Sequence, residues 1–146
     1  MVNQQQFDAK IKSALTEEER SSLFDSYAEE LFNKENYSEA IKIYSQASRI
    51  PKQQNVKAYF AGRIGICHFN AGNDQKAFEY LTKSAQMFDA DKPEFMPDMY
   101  GFVSFHLGSL YEYHGKIAKS LEARKACEKY LHHKPGLICL YQDQTQ

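Results

Sequence analysis

Apolar residues recur along this chain at the spacing that places them on one face of a helix. In the stretch before Pro51, Ala40, Tyr44, Ala47 and Ile50 follow an i, i+4, i+7, i+10 pattern, which is typical of an amphipathic helix. Including this one, such stripes predict seven helices, over residues 3–14, 16–33, 38–50, 55–71, 74–88, 98–114 and 116–132. Few prolines, glycines or runs of β-branched residues interrupt them, so the sequence predicts an all-α fold.

The last two helices have their own predicted inward-facing stripes. In the sixth helix this stripe comprises Val103, Leu107, Leu110 or Tyr111, and His114. In the seventh it comprises Ile117, Leu121, Cys127 and Leu131. Both stripes have helical spacing, so these side chains are expected to pack against the rest of the protein.

Capping residues predict where several helices begin and end. Thr16 opens a Thr-x-x-Glu capping box, and the acidic run Glu17–Glu19 is either part of this first turn or a binding patch. Asp74 is a predicted N-cap. Gly72 is predicted to end a helix in the left-handed conformation that glycine tolerates, and Gly115 is predicted to end another.

Three helix pairs align with one another. The separations between copies are 37 and 43 residues, measured at Ala40, Ala77 and Ser120. The other aligned sets are Tyr27-Ala28, Ile64-Gly65 and Leu107-Gly108; Leu31, His68 and Tyr111; Tyr44, Leu81 and Arg124; and Ala47, Ser84 and Cys127. The small residues Gly65 and Ala77 are expected where two helices approach closely.

This pattern, with Leu-Gly-x-x-Tyr at Leu107–Tyr111, resembles the tetratricopeptide repeat, a helix–turn–helix unit of about 34 residues. The excess over that unit predicts roughly three extra residues near Asn55 and roughly nine around Asp91–Pro97, or longer helices in the last pair. The Trp of the repeat is absent, and Arg124 stands where an aromatic residue is expected. The resemblance implies three stacked antiparallel helix pairs in a right-handed superhelix, preceded by an N-terminal helix.

The predicted organisation has three parts: an N-terminal helix or cap, a repeat domain and a C-terminal tail. They cover residues 1–15, 16–136 and 137–146, with repeats at about 21–54, 58–91 and 98–134. The tail contains the apolar run Leu137–Tyr141, which we expect to fold back over an exposed end of the array.

In the repeat family, the first helix of each pair lines a concave face. By this resemblance, the partner-binding residues are expected to be Asp25, Glu29, Phe32, Tyr59, Arg63, Ile66, Phe69, Asn70, Phe102, Phe105, Glu112 and Tyr113, with Ser22 and Gly62 beside them. Several are large and apolar, and an exposed apolar patch on a soluble protein marks a binding site. The alternative is that some of these aromatic residues belong to the core.

Composition narrows the class of protein. The chain has 146 residues, 42% hydrophobic and 14% aromatic, with a net charge of −1, so it can bury a core and has no overall field to attract nucleic acid or an anionic membrane. Neither partner is expected. Three cysteines without a Cys-x-x-Cys pair predict free thiols, and no leader or membrane-spanning segment is evident, so we expect a cytoplasmic protein.

Candidate chemistry is sparse. No nucleophile elbow, phosphate-binding glycine loop or zinc motif occurs, so we expect no enzyme activity, no metal and no cofactor. His106 and His114 are interpreted as structural or surface residues. Adjacent Cys67 and His68 would point about 100° apart on a helix, which argues against a catalytic dyad. The basic seventh helix, rich in lysine, is either a solvated face or a phosphate site.

The sequence therefore predicts a non-catalytic module that holds a protein or peptide segment in an apolar, aromatic groove. A terminal carboxylate clamp is not expected, because Asp25 and Glu29 would repel it. The stretches Leu23–Ala28 and Tyr59–Cys67 are similar to class II chaperones of bacterial type III secretion, which implies a chaperone role and a homodimer through the N-terminal helix. The alternative is a structural adaptor subunit of a larger assembly.

Overall fold

The computed structural model describes residues 3–14 and 16–131, and within them every regular element is an α-helix. The seven helices are α1 (Gln4–Ser13), α2 (Glu17–Asn33), α3 (Tyr37–Ala47), α4 (Gln54–Asn70), α5 (Asp74–Met87), α6 (Pro97–Tyr113) and α7 (Ile117–Leu131). The all-α prediction is confirmed for these residues. The apolar run at 137–141 and Cys139 lie outside them. No helix of the described ranges is both long and apolar enough to cross a bilayer.

Three similar turns join α2 to α3, α4 to α5 and α6 to α7. Glu35, Gly72 and Gly115 have positive φ angles of 61°, 82° and 75°. After Gly72, the Asn73 amide donates to the His68 carbonyl at 2.9 Å while the Gly72 amide donates to Phe69, which is a Schellman termination. The other two turns repeat both bonds. The predicted helix ends at Gly72 and Gly115 are therefore confirmed.

The N-terminal caps agree with the sequence in part. The Thr16 side chain accepts from the Glu19 amide at 3.0 Å, as predicted. Asn73, rather than Asp74, caps α5, because its side chain accepts from the Lys76 amide. The prediction for Asp74 is wrong by one residue, since Asn and Asp are equally suited to this position.

Glycines set the approach of α4 to its neighbours. A Cβ at Gly65 would lie 3.0 Å from the backbone nitrogen of Leu81, and one at Gly62 would lie 2.9 Å from the Ser84 hydroxyl. Later positions in α4 thus meet earlier positions in α5, so these helices run antiparallel. The expected close approach at Gly65 is confirmed. Gly62, expected in the groove, instead faces α5 and Val103 of α6.

The core consists of two clusters. One joins α2, α3 and α4 around Tyr44 and Phe60, and the other joins α4, α5 and α6 around Leu81 and Val103. The aligned positions Ala40, Ala77 and Ser120 are buried, as are Ala47, Ser84 and Cys127. The Ser84 hydroxyl donates to the Ala58 carbonyl and Ser120 donates to Gly108, which satisfies these buried polar groups.

The last helix packs through a different stripe from the predicted one. Ile117 and Leu121 are 57% and 50% exposed, and His114 is also exposed, so these three predictions are wrong. Cys127 and Leu131 are buried as predicted. The reason is that α7 packs small Ser120 and Ala123 close to Gly108 of α6, which turns the larger side chains on the N-terminal half of α7 outward.

The extra residues before the third pair lie in the connection and not in α6. The sixth helix has 17 residues, the same number as α4, so the expectation of a longer helix is wrong for α6. In the connection, Phe95 contacts the rings of Phe88, Tyr100 and Tyr130 at centroid distances of 5.5 to 6.0 Å. These contacts fix the path of the loop between α5 and α6.

Buried Asn55 holds the start of this loop. Its side-chain amide donates to the Asp89 carbonyl at 3.0 Å, and its oxygen accepts from the Asp89 amide at 2.7 Å. The N-terminal helix is also anchored, because Phe7 of α1 is buried against Phe24 and Tyr27 of α2. Both elements are thereby held on α2 and α4.

Candidate functional site

An open groove of about 850 Å³ lies between α2 and α4. It is lined by the start of α2, by the start of α4 with the loop that precedes it, and by the connection before α6. We call it the α2–α4 groove. We refer to its apolar side chains as the floor and to its polar side chains as the rim. Its lining comprises Glu17, Glu18, Ser21, Ser22, Asp25, Pro51, Lys52, Gln53, Val56, Tyr59, Phe60, Glu94 and Met96.

Only part of this lining was expected from the sequence. Asp25 and Tyr59 belong to the predicted binding residues, and Ser22 was placed beside them. The groove extends about one turn further toward the N-terminal ends of α2 and α4 than predicted. Glu94 and Met96 were missed because they lie in a loop that has no counterpart in the repeat. The signal that could have revealed them is the longer separation before the third helix pair, 43 residues against 37.

Four predicted residues meet where α2, α3 and α4 join. The Tyr59 hydroxyl donates to an Asp25 carboxylate oxygen at 2.8 Å, and the Arg63 Nε donates to the Tyr44 hydroxyl at 2.9 Å. The Arg63 guanidinium also lies 5.4 Å from the centre of the Phe32 ring and 5.3 Å from that of Tyr44. These distances are typical of cation–π contacts. We call this set the Arg63 network.

Burial governs the ionisation of the network. It raises the pKa of Asp25 above its usual value, although the hydrogen bond from Tyr59 and the charge of Arg63 oppose the rise. Burial also raises the pKa of Tyr44 and of Tyr59. Both phenols therefore stay protonated at neutral pH and can donate hydrogen bonds.

A second group of predicted residues surrounds His106. The rings of Phe69, Phe102 and Phe105 lie 4.7, 4.6 and 5.3 Å from the imidazole, each edge-on. His106 is only 5% exposed, and its Nδ1 lies 2.8 Å from the Phe102 carbonyl oxygen. These aromatic side chains are half-buried rather than freely exposed, so core packing accounts for much of their surface. We call this set the His106 cluster.

The apolar surroundings keep His106 neutral. Its pKa is lowered to about 4, mainly by burial; the hydrogen bond with the Phe102 carbonyl opposes the shift, and the charge of Arg63 adds to it. The interpretation of His106 as a structural residue agrees with this geometry. The sequence carried no signal for its burial, because a histidine within an aromatic stretch has no characteristic pattern.

One predicted groove residue is a core residue. Ile66 is 1% exposed and packs with Leu81 and Val103 in the second core cluster. Its expected place on an accessible surface is therefore wrong. The error arises because α4 is covered on several faces, whereas the repeat pattern assigns one face to the groove.

The remaining predicted residues lie apart from the α2–α4 groove. Glu29 is exposed on α2. Asn70 donates from its side chain to the Ile66 carbonyl and lines a separate cleft near the turn after α4. Glu112 pairs with Arg124 of α7, and Tyr113 is 79% exposed at the end of α6. The structure does not bring these side chains into one site.

The cysteines and histidines form no catalytic arrangement in the described residues. Burial raises the pKa of Cys67 to about 11, so its thiol stays protonated, and neighbouring His68 stacks on Tyr80. No group of three or more His, Cys, Asp or Glu side chains in residues 3–14 and 16–131 could hold a metal ion. On the basic seventh helix, Arg124 is paired and Lys119 lies over the Tyr111 ring.

No protein-family model, curated protein or solved structure matches this chain. The α2–α4 groove must therefore be interpreted from its own geometry.

Proposed function

We propose that the protein is a non-catalytic binding module that holds an extended segment of a partner protein in the α2–α4 groove. The helix pairs would form a superhelical array of the tetratricopeptide type, with α2, α4 and α6 on its concave side. The observation that carries the proposal is the groove itself, which combines an apolar floor with a polar rim.

The groove has the composition of a peptide site. Val56, Tyr59, Phe60 and Met96 supply apolar surface, on which a partner side chain can be buried. The rim supplies serines and carboxylates that can hold a peptide backbone or side chain in register. Because the groove is open rather than enclosed, an elongated ligand fits better than a compact one.

The groove is supported by rigid contacts. Tyr59 is fixed by its bond to Asp25, and the loop that carries Glu94 and Met96 is held by the Phe95 ring contacts. The α3–α4 loop is tied to α2, because the Lys52 amide donates to a Glu17 carboxylate oxygen at 3.0 Å. A preformed site loses less conformational entropy on binding.

A structural adaptor role is the alternative, and a different region favours it. Tyr113, Ile117 and Leu121 are exposed where α6 ends and α7 begins. Large exposed apolar side chains at one end of a helical array suit a contact with another subunit. In this alternative the partner would cover this end rather than the groove.

The narrower role, a cytoplasmic chaperone for type III secretion substrates, rests on the resemblance of the α2 and α4 sequences alone. It requires that the bound partner be a secreted protein. A homodimer through α1 could not use Phe7, because this side chain already packs on α2.

Site-specific photocrosslinking in the native cell tests these proposals. A photoreactive phenylalanine analogue replaces Ser22 or Met96 in the groove, Leu121 at the exposed end, or Lys83 on α5 as a matched control. Mass spectrometry then identifies the crosslinked peptide. We expect Ser22 and Met96, but not Lys83, to capture one contiguous segment of the same partner.

The possible outcomes distinguish the peptide groove, the adaptor and the chaperone from one another. Crosslinks from Leu121 alone, to a subunit of a stable complex, would favour the adaptor and reject the groove. A secreted protein captured from both groove positions would support the chaperone role. If the groove positions capture no more than Lys83 does, the peptide-binding proposal is wrong.

A further inference from the structure

The α2–α4 groove is acidic, although the chain as a whole is almost neutral. Four carboxylates line it, those of Glu17, Glu18, Asp25 and Glu94, against one ammonium group, that of Lys52. The net charge of the chain is only −1. The negative charge at this groove is therefore a local property of the surface and not a consequence of overall composition.

Two of these carboxylates are held in place by hydrogen bonds. Glu17 accepts from the Lys52 amide at 3.0 Å, and Asp25 accepts from Tyr59 at 2.8 Å. Each bond uses one acceptor site, and an ionised carboxylate has about four. Both groups can therefore accept further bonds from a ligand.

The other two carboxylates have no cationic partner among the described residues. Within residues 3–14 and 16–131, no Lys, Arg or His forms an ion pair with Glu18 or Glu94. Glu18 lies on α2 and Glu94 on the α5–α6 connection, and both line the groove. Among the described residues no cation neutralises their charges, so a cationic ligand can.

The same groove also has apolar lining. Val56 and Met96 are half-buried, and Phe60 lines the groove with them. A ligand that matches this surface has a large apolar side chain for the floor and a positive charge for the rim. The stem of lysine or arginine suits the same geometry, since it can lie along apolar surface while its charged end reaches the carboxylates.

We infer that the α2–α4 groove selects a peptide segment in which lysine or arginine lies next to a large apolar residue. This inference rests on the proposed function and adds the chemistry of the bound segment. Acidic or phosphorylated segments are repelled, because like charges would meet across a partly apolar groove.

Fluorescence anisotropy with three labelled synthetic peptides tests the inference on the full chain. The first peptide alternates lysine with leucine, the second has glutamine in place of each lysine, and the third has glutamate. We expect the lysine peptide to bind about tenfold more tightly than the glutamine peptide, and added salt to reduce this difference. The glutamate peptide should bind most weakly.

Variants assign the preference to the groove. The double variant Glu18→Gln/Glu94→Gln should bind the lysine peptide about as weakly as the glutamine peptide. Glu79→Gln/Glu122→Gln is the matched control, since both glutamates are exposed on α5 and α7 outside the groove. The control should keep the full preference. The reversal Glu18→Lys/Glu94→Lys should favour the glutamate peptide.

The outcomes separate this inference from the proposed function. If all three peptides bind equally, or if the control loses the preference, the inference is wrong while a peptide groove remains. If none of them binds, the inference is overturned, and the crosslinking from Ser22 and Met96 decides whether the proposed function falls with it.

Two other occupants would also overturn the inference. A second copy of the chain in the groove would make peptide affinity fall as protein concentration rises. Occupation by residues 132–146 of the same chain would make peptide affinity increase when they are removed.

Discussion

Helix α4 forms one interface with α2 and α3 and another with α6, and the two differ in chemistry. Toward α2 and α3 the contacts are hydrogen bonds and cation–π contacts of the Arg63 network. Toward α6 the ring of Phe69 in α4 packs edge-on against His106, within the His106 cluster. Both interfaces contain a titratable group, Asp25 in one and His106 in the other.

The difference shows how one helix can border both an open groove and a closed core. In the Arg63 network, directed bonds satisfy the polar groups, so Asp25 and Tyr59 can remain at the edge of an open groove. In the His106 cluster, packed rings exclude water and hold the imidazole neutral. The two interfaces should consequently respond in opposite directions to acid.

The largest expected effect is acid destabilisation through His106. Burial lowers its pKa from 6.5 to about 4, so the unfolded state binds the proton more readily between these values. Stability is therefore retained above pH 6.5 and is lost as the pH falls toward 4, by on the order of 3 kcal/mol. Urea unfolding followed by circular dichroism across this range measures the loss.

The matched controls for this prediction are two glutamine substitutions. His106→Gln should flatten the pH dependence, because glutamine can still donate to the Phe102 carbonyl but does not titrate. His114→Gln should change little, since His114 is exposed beside Asp74. An unchanged pH profile in His106→Gln would contradict the assigned role of this cluster.

The next largest effect is expected from the Arg63 network. Arg63→Ala removes the bond to Tyr44 and the cation over Phe32, and it leaves Asp25 without its nearby positive charge. We expect a loss of about 2 kcal/mol in the free energy of unfolding. Exposed Arg49→Ala is the control and should cost less than about 0.5 kcal/mol.

Retention of stability in Arg63→Ala would mean that packing alone holds α4 to α2 and α3. Both interfaces of α4 would then be stabilised by packing, and the polar contacts of the Arg63 network would add little. Arg63→Lys sharpens the test, because lysine keeps the charge but lacks the planar fork that reaches Tyr44 while lying over the ring.

The smallest expected effect concerns Asp25. Its pKa is raised by burial, so its contribution to stability has the opposite sign from that of His106: it is present at low pH and is lost as the pH rises through the folded-state pKa. Asp25→Asn keeps an acceptor for Tyr59 but removes the titration. We expect the free energy of unfolding of this variant to fall more steeply with decreasing pH than that of the unchanged protein, as measured by the same urea series.

Ser22→Ala provides the reference for that measurement, since it changes a groove residue without a titratable group. If the free energy of unfolding falls less steeply with decreasing pH in Asp25→Asn than in Ser22→Ala, Asp25 does not offset the acid destabilisation caused by His106.

Much of the local structure was predictable, and the errors have a common origin. Thr16, Gly72 and Gly115 act through their own backbone neighbours, so their roles can be inferred from a few residues of sequence. The stripe in α7 was misassigned because Ile117 and Leu121 are more apolar than Ser120. Close packing against Gly108 selects the smaller side chain.

The candidate site was predictable only in part, because part of its lining depends on tertiary packing and not on neighbouring residues in the sequence. Tyr59 and Asp25 could be found because repeat spacing places them on corresponding helix faces. Glu94 and Met96 could not, because they reach the groove through a loop whose path depends on ring contacts with Phe88, Tyr100 and Tyr130.

The sequence by itself determined the helical class, most helix ends and the buried positions shared by the three pairs, because capping and helical periodicity act over short distances along the chain. The tertiary structure alone decided that Ile66 lies in the core, that His106 is enclosed by aromatic rings, and that four carboxylates line the same groove as several apolar side chains. Those outcomes join residues more than 30 positions apart, and they depend on how closely whole helices approach one another.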